Sequence, residues 1–296
     1  MKTALSPKQL ALAIGVSESS LRRWTDDGLL EVTRTAGGHR RIALLEALRF
    51  IRERRFDIVR PDVLGVTTPE QLIPIDMENE HPATVLTELL MRGNSEQAIN
   101  LLQSAYLRGQ RVCDICDQLV APALRSIGEL WQHNDDGIFI EHRAVDLCVQ
   151  AVNHIRALMP FPDKDAPVAV GGAPTGDPYM LSSMIAAAVL SEQGWQSFNL
   201  GPDTPLEVLA SSAERQGAAL IWVTMNATEA TPSLETAFRT FTKSLQDTDT
   251  TIVVGGRTAD RVHGKFSRQV VSLTSMSELA SYAMGLSHRQ DVKGMR

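Results

Sequence analysis

The chemistry most legible in this chain is basic and lies near its N-terminus. Ser19, Ser20, Arg22 and Arg23 occupy the polar positions of one amphipathic stretch. Eleven residues beyond Arg23, Arg34 opens the run Arg34-Thr-Ala-Gly-Gly-His39-Arg40-Arg41. Guanidinium groups fork onto phosphate oxygens, and side chains presented to base edges read sequence. Paired glycines allow a tight hairpin tip with basic side chains just beyond it. Residues of these types and spacing would recognise a polyanionic duplex. Ser20 and Arg23 are the candidates for base or groove contact, and Arg22, Arg34, His39, Arg40 and Arg41 for the backbone. For any one arginine, a merely solvated side chain is the competing reading.

Other chemistry is thin. Cys113-x-x-Cys116 lies in a helical pattern with Cys148 distant, and a zinc site needs about four ligands at suitable spacing, so buried or idle thiols are expected. The pairs Gly171-Gly172 and Gly255-Gly256 follow apolar runs, yet no Gly-x-Gly-x-x-Gly is present. No Ser/His/Asp or Cys/His set is placed for catalysis, and the chain is not expected to be an enzyme.

The elements that must position the basic residues can be traced in the pattern. Ser6-Pro7 reads as an N-cap with proline at the first helical position. That helix carries Leu10, Ala11 and Ile14, Gly15-Val16 makes a turn, and Ser17 caps a second helix over 18–26 with Leu21 and Trp24 on its apolar side. Gly28 ends it. A strand is expected at 30–34, then the glycine tip, then a helix over 43–55 whose Arg49, Arg52, Arg54 and Arg55 could touch further phosphates. This is a winged helix-turn-helix.

Residues 1–60 form this first domain, and 61–82, with four prolines, read as a linker. From 83 to 160 apolar residues recur at helical spacing, as in a small bundle. After a stiff Pro160–Pro167 link the texture changes. Apolar runs at 168–172, 197–200, 219–224, 251–254 and 269–273 alternate with helical segments at 179–193, 205–216, 233–245 and 276–286. That alternation over 167–290 predicts a Rossmann-like, doubly wound parallel sheet. The fold class is thus α plus α/β, in several domains.

Charge follows the same division. The first 60 residues hold 12 Lys+Arg and 7 Asp+Glu, the remainder 17 and 28, within a net charge of −6 over 296 residues. A basic head on an acidic body means that only the head meets polyanions. No apolar run reaches the roughly 18 residues of a membrane span, and three cysteines make no disulfide framework. A cytoplasmic protein without membrane contact is expected.

Residues 21–42, LRRWTDDGLLEVTRTAGGHRRI, resemble the reader domain of the MerR family, over roughly residues 5–60. The resemblance implies a dimer on a pseudo-palindromic promoter site. The remainder resembles a helical bundle followed by a cobalamin-binding α/β domain, and with such a head the whole is similar to the light-responsive CarH/LitR regulators. In that family adenosylcobalamin sits between bundle and sheet and assembles the protein on DNA, and light breaks the cobalt–carbon bond. The family's Trp, nine residues, Glu-His is matched by Trp131, Glu141 and His142. The resemblance gives Trp131 to the upper corrin face and Glu141 and His142 to the adenosyl pocket, with an imidazole able to ligate a metal.

The second half of the family's site is altered. Its Asp/Glu-x-His-x-x-Gly becomes Asp177-Pro-Tyr179-Met-Leu-Ser182, so the lower cobalt ligand is replaced by a phenol of reference pKa about 10. Its Ser-Val-Thr becomes Trp222-Val-Thr224, with an indole directed at the groove for the nucleotide tail. Gly255 and Gly256, near that tail in the family, are kept. Three occupancies stay open: cobalamin, another planar tetrapyrrole such as haem held by His142, or none, with the body serving oligomerisation or a partner protein. A corrinoid methyl carrier shares the body but neither the basic head nor the missing ligand. The expectation is a DNA-binding transcriptional regulator, a repressor, acting as a homodimer or higher homo-oligomer on double-stranded promoter DNA.

Overall fold

The computed structural model describes residues 4–64, 81–130, 135–227, 232–266 and 270–294. The chain divides into two compact units. The first joins Met1–Arg111 to Gln118–Pro160, and the second joins Val112–Asp117 to Phe161–Arg296.

The first unit opens with β1 (Ala4–Leu5) and α1 (Pro7–Ala13). Ser6 and Gln9 cap α1 reciprocally: the Gln9 amide donates to Ser6 Oγ at 3.2 Å and the Ser6 amide to Gln9 Oε1 at 2.8 Å. Gly15, with φ +68°, turns the chain into α2 (Glu18–Asp26), and Gly28 at φ +72° leads away from it. A three-stranded antiparallel sheet follows, in the order β1-β3-β2, from β2 (Thr33–Arg34) and β3 (Arg40–Ala43). The expected strand over 30–34 is therefore short. Leu30 is buried in the core, and the Glu31 amide donates to the Glu46 carboxylate at 2.9 Å rather than to a strand.

Beneath lies α3 (Leu44–Arg54), whose Phe50 forms an aromatic cluster with Trp24 and Phe56 at centroid distances of 5.3–5.7 Å. The stretch expected as a linker begins with one helical turn, α4 (Pro61–Leu64), packed on α1 with Leu64 fully buried. Residues 65–80 lie outside the description.

The helical region consists of α5 (Pro82–Arg92) and α6 (Ser95–Leu107), then the short α7 (Val112–Ile115), a π-helical turn at Cys116–Val120, α8 (Ala121–Leu130) and α9 (Asp135–Arg156). Leu86, Leu90, Leu101, Leu102, Ile127 and Ile155 bury the helical stripes expected from their spacing.

The second unit is a five-stranded parallel sheet in the order β5-β4-β6-β7-β8: β4 (Val168–Gly172), β5 (Gln196–Asn199), β6 (Leu220–Thr224), β7 (Thr251–Gly255) and β8 (Val270–Ser272). The helices α10 (Met180–Glu192), α11 (Leu206–Gln216), α12 (Pro232–Ser244), α13 (Ala259–Phe266) and α14 (Met276–Gly294) complete it. The order reverses between β4 and β6, the switch point where such sheets take ligands. One face of the sheet packs Val170, Ile221, Val223 and Ile252 against Leu209, Phe238 and Phe241. Helix α13 was not among the expected segments.

Six residues of the second unit come from the middle of the helical region. The Val112 amide donates to Glu192 Oε2 at 2.8 Å. The Asp117 carboxylate accepts from the amides of Met276 and Ser277 at 3.0 and 2.9 Å and from Ser277 Oγ at 2.7 Å, capping α14.

Candidate functional site

In α2, buried Leu21 and half-buried Trp24 face the core, which turns Ser19, Arg22 and Arg23 out to solvent. These three line a shallow depression with Glu18 and Asp26. Ser17 Oγ accepts from the Ser20 amide at 3.2 Å and shares hydrogen bonds with Ser19 Oγ at 2.7 Å and Ser20 Oγ at 3.0 Å. The N-cap thus gathers three hydroxyls at the start of the helix, with Ser20 half-buried.

The wing is a hairpin of two paired positions, Thr33 with Arg41 and Arg34 with Arg40. Its tip closes where the Gly38 amide donates to the Thr35 carbonyl at 2.8 Å and Thr35 to His39 at 2.9 Å, with Gly38 at φ +76°. Arg34, His39 and Arg41 are exposed. Arg40, expected at the DNA backbone, has partners within the head: it donates to Thr25 Oγ1 and to Asp26 Oδ1, both at 2.6 Å.

Two of the three α3 arginines are also engaged internally. Arg49 pairs with Glu46 and Glu53, which raises its pKa, foremost through the hydrogen bonds it donates to Glu46. Burial alone would raise the Glu46 pKa. Its hydrogen bonds with Arg49 and the Glu31 amide, together with the Arg49 charge, outweigh that and hold the carboxyl below its ordinary range. The Arg52 guanidinium lies 3.5 Å from the centroid of the buried Tyr106 ring and donates to the Gln110 carbonyl at 3.2 Å. Arg54 and Arg55 are exposed.

Of the helical half of the second candidate site, Glu141 and His142 are exposed near the start of α9, beside exposed Ile138 and Phe139. Trp131 lies outside the described residues. Among the described residues no cluster of His, Cys, Asp and Glu could hold a metal ion.

On the sheet unit, Asp177 is 2% exposed and saturated with backbone amides: Tyr179 at 3.0 Å on Oδ1, and Asn226 at 2.5 Å and Ala227 at 3.0 Å on Oδ2. It ties the loop after β4 to the loop after β6. Tyr179 stands exposed as the N-cap residue of α10, without a side-chain cap bond, and Ser182 is half-buried. Thr224 is buried, its hydroxyl 3.5 Å from the Gly172 carbonyl. Gly256, at φ +106°, sits where a Cβ would lie 2.4 Å from the Met225 carbonyl oxygen, and a Cβ on Gly255 would meet the Leu273 carbonyl at 3.0 Å. Both glycines serve close backbone approach.

Trp222 is the residue that decides this half. It pairs in register with Gly171 on the neighbouring strand, and its indole covers that glycine so closely that a Cβ there would lie 2.0 Å from Cδ2. The indole is 2% exposed, and its Nε1 donates to Ser183 Oγ at 3.1 Å, which in turn donates to Asn199 Oδ1 at 2.7 Å. The space between the sheet and α10 is therefore filled by this chain's own side chains. The residues that the resemblance sets against a cobalamin tail and beneath its cobalt do not suit that group: the Trp222 indole occupies the space over Gly171, and Tyr179 offers an exposed phenol. Sequence reading identified both positions. It missed Ser183 and Asn199, which no motif marks.

A helix-turn-helix with a basic wing, followed by a helical region and a switch-point sheet, defines a two-module regulatory architecture. Residues 6–42 match the family described as MerR family regulatory protein, and residues 83–156 match the B12 binding domain. The chain thus joins a MerR-type, DNA-binding regulatory head to a module of the B12-binding kind, a type for which cobalamin is the ligand class. Among curated proteins none matches the chain significantly. Among solved structures it is similar to the monomethylamine corrinoid protein of Methanosarcina barkeri, at 15% identity and TM-score 0.53, covering 68% of this chain and 96% of that one. It is also similar to the methanol:cobalamin methyltransferase complex MtaBC of the same organism, at 15% identity and TM-score 0.38, covering 79% and 94%. A third is a cobalamin-binding protein of Desulfitobacterium hafniense DCB-2, at 12% identity and TM-score 0.34, covering 67% and 95%. The first likeness shows the fold; at these identities the activity of those proteins does not carry over. No described helix is long and apolar enough to cross a membrane.

Proposed function

We propose that this chain is a transcriptional repressor that binds promoter DNA as a homodimer or higher homo-oligomer in the cytoplasm, with α2 in the major groove and the wing along the backbone. The observation that carries the reading is the joint exposure of Ser19, Arg22 and Arg23 on α2 with Arg34, His39 and Arg41 on the wing. Arg23 and Ser20 are assigned to base or groove contact, and Arg22, Arg34, His39 and Arg41 to phosphates. The domains are assigned as reader 1–60, linker 61–82, helical bundle 83–160 and sheet 167–290. Selection of duplexes from a random library by the purified protein tests the reading. Enrichment of an inverted repeat supports it, and failure to enrich any sequence refutes it. A reporter driven by the chain's own promoter, measured with and without the gene, separates repression from activation.

For the body, the filled groove at Trp222 favours a second reading over adenosylcobalamin-dependent light sensing: a module that oligomerises or docks a partner protein without holding cobalamin. An absorbance spectrum after dark incubation with adenosylcobalamin and desalting separates the two. A colourless protein that still binds DNA supports the cofactor-free body. A retained corrin band refutes it and shows that Trp131, Glu141 and His142 suffice. Haem on His142 would reveal itself in the same spectrum after incubation with hemin.

A further inference from the structure

We infer that Arg40 is a positioning residue that locks the wing to the recognition helix, and that Asp26 and Thr25 are the parts of the helix it grips. The inference rests on the DNA-reading function proposed above.

Along β3 the burial alternates, so Arg40 shares the inward face with Ile42, which is fully buried, while Arg41 points outward. From that face the guanidinium reaches the last turn of α2 with two donors on two successive residues, Thr25 Oγ1 and Asp26 Oδ1, at 2.6 Å each. Thr25 Oγ1 donates its own proton to the Arg22 carbonyl at 2.7 Å, so its lone pairs are left for Arg40. The chain Arg40–Thr25–Arg22 carbonyl ends at the backbone of a residue on the proposed DNA-facing side of α2.

The wing needs such a tether. Its ladder has two paired positions, and a hairpin this short does not hold its direction in water by itself. At its base the Glu31 amide is pinned to Glu46, but nearer the tip only the Arg40 grip runs to α2 among the described hydrogen bonds. The pair is also electrostatically apt. A cation at the C-terminal end of α2 complements the helix dipole. It also neutralises Asp26, an acid that borders the Ser19–Arg22–Arg23 depression and would otherwise repel phosphates. With side chains 26% and 52% exposed, the bridge adds little to folding stability. Its effect is geometric, setting the spacing between the two elements that meet DNA.

Asp26→Asn separates this role from a direct phosphate contact because the two predict opposite signs. If Arg40 served the DNA backbone, removing the acid would free it and tighten binding. With the lock, affinity for the selected duplex falls on the order of tenfold, affinity for a scrambled duplex holds or rises, and Arg40→Lys, which keeps the charge but loses the fork, behaves alike. Arg41→Ala is the contrasting control, weakening both duplexes and lowering the salt slope by about one. Amide hydrogen exchange without DNA gives a second readout: exchange over residues 33–41 speeds up in Asp26→Asn while that over 44–54 does not. Tighter binding with selectivity intact overturns the lock, and so does unchanged exchange in the wing. A wild-type protein that selects no duplex would sink the DNA-reading function, and the exchange result would still decide whether the lock exists.

Discussion

Replacing Gly171 with alanine is the sharpest probe of the filled groove. The added Cβ would lie 2.0, 2.3 and 2.4 Å from three indole atoms of Trp222, against the about 3.5–4.0 Å of an ordinary carbon contact. The ring must retreat by roughly 1.5 Å to restore that contact. It has little freedom to do so, being 2% exposed and held through Ser183 to Asn199. Overpacking of this kind costs about 1–3 kcal/mol, and the tether puts the value near the upper end. Trp222→Ala alone should cost about 3–5 kcal/mol as a buried aromatic deletion. In that background the clash is gone, and Gly171→Ala should be neutral or gain about 0.4–1 kcal/mol from reduced unfolded-state freedom. The coupling between the two positions is therefore about 3–4 kcal/mol. Urea titrations of the four proteins, followed by far-UV circular dichroism, measure it as midpoint shifts at constant slope. An equal cost of Gly171→Ala in both backgrounds would refute the reasoning, because the indole would not then be what occupies the space above Gly171.

Three further outcomes are expected. Arg23→Ala should weaken binding to the selected duplex by about 1–3 kcal/mol and relax its sequence preference at one position, measured by fluorescence anisotropy; an unchanged preference would remove Arg23 from the reading surface. Asp117→Ala removes the carboxylate that caps α14 and should cost about 0.5–2 kcal/mol, read as loss of hydrogen-exchange protection at residues 276–280. The Cys148 thiol is pushed up to about 12 by burial, from an ordinary 9.0. The unfolded chain then loses this proton first as pH rises, so the contribution to stability is complete below about pH 9 and disappears through about pH 12. Wild type and Cys148→Ala should accordingly converge in urea midpoint over that range, and parallel curves would contradict the assignment.

The parts of the fold that were legible in the sequence are those fixed by neighbours. Ser6 with Gln9, Ser17, and Gly28 mark the ends of α1 and α2 within a few residues of themselves. The apolar runs at Val168–Gly172 and Thr251–Gly255 are strands buried in a parallel sheet, so they read as continuous rather than alternating. Helix α13 escaped because it is eight residues long and contains Gly264. Of the candidate site, residue identities were legible and partners were not. That Trp222 lies on Gly171 depends on the register of β4 against β6. That Arg40 grips Asp26 depends on how the hairpin folds back over α2. Asp117 meets Ser277 across 160 positions, and nothing local marks a helical residue as belonging to another unit. A glycine inside a strand was the one sequence signal of close approach at the groove.

The capping of α14 by Asp117 bears on how this architecture can be inherited. The sheet unit is assembled from two pieces of chain, with Gln118–Pro160 of the other unit running between them. A recombination event with its breakpoint near residue 160 would deliver a sheet without Val112–Asp117, leaving the Met276 and Ser277 amides without their acceptor. The helical region and the sheet are thus tied genetically as a single cassette. Exchange of heads carries a different cost: a breakpoint among residues 65–80 cuts neither of the two pieces that build the sheet unit, but it parts Arg52 from the Tyr106 ring and the Gln110 carbonyl within the first unit. A new head is accepted by this body only if it brings its own partner for Tyr106 and Gln110, so reader and helical region, like helical region and sheet, are inherited most readily together.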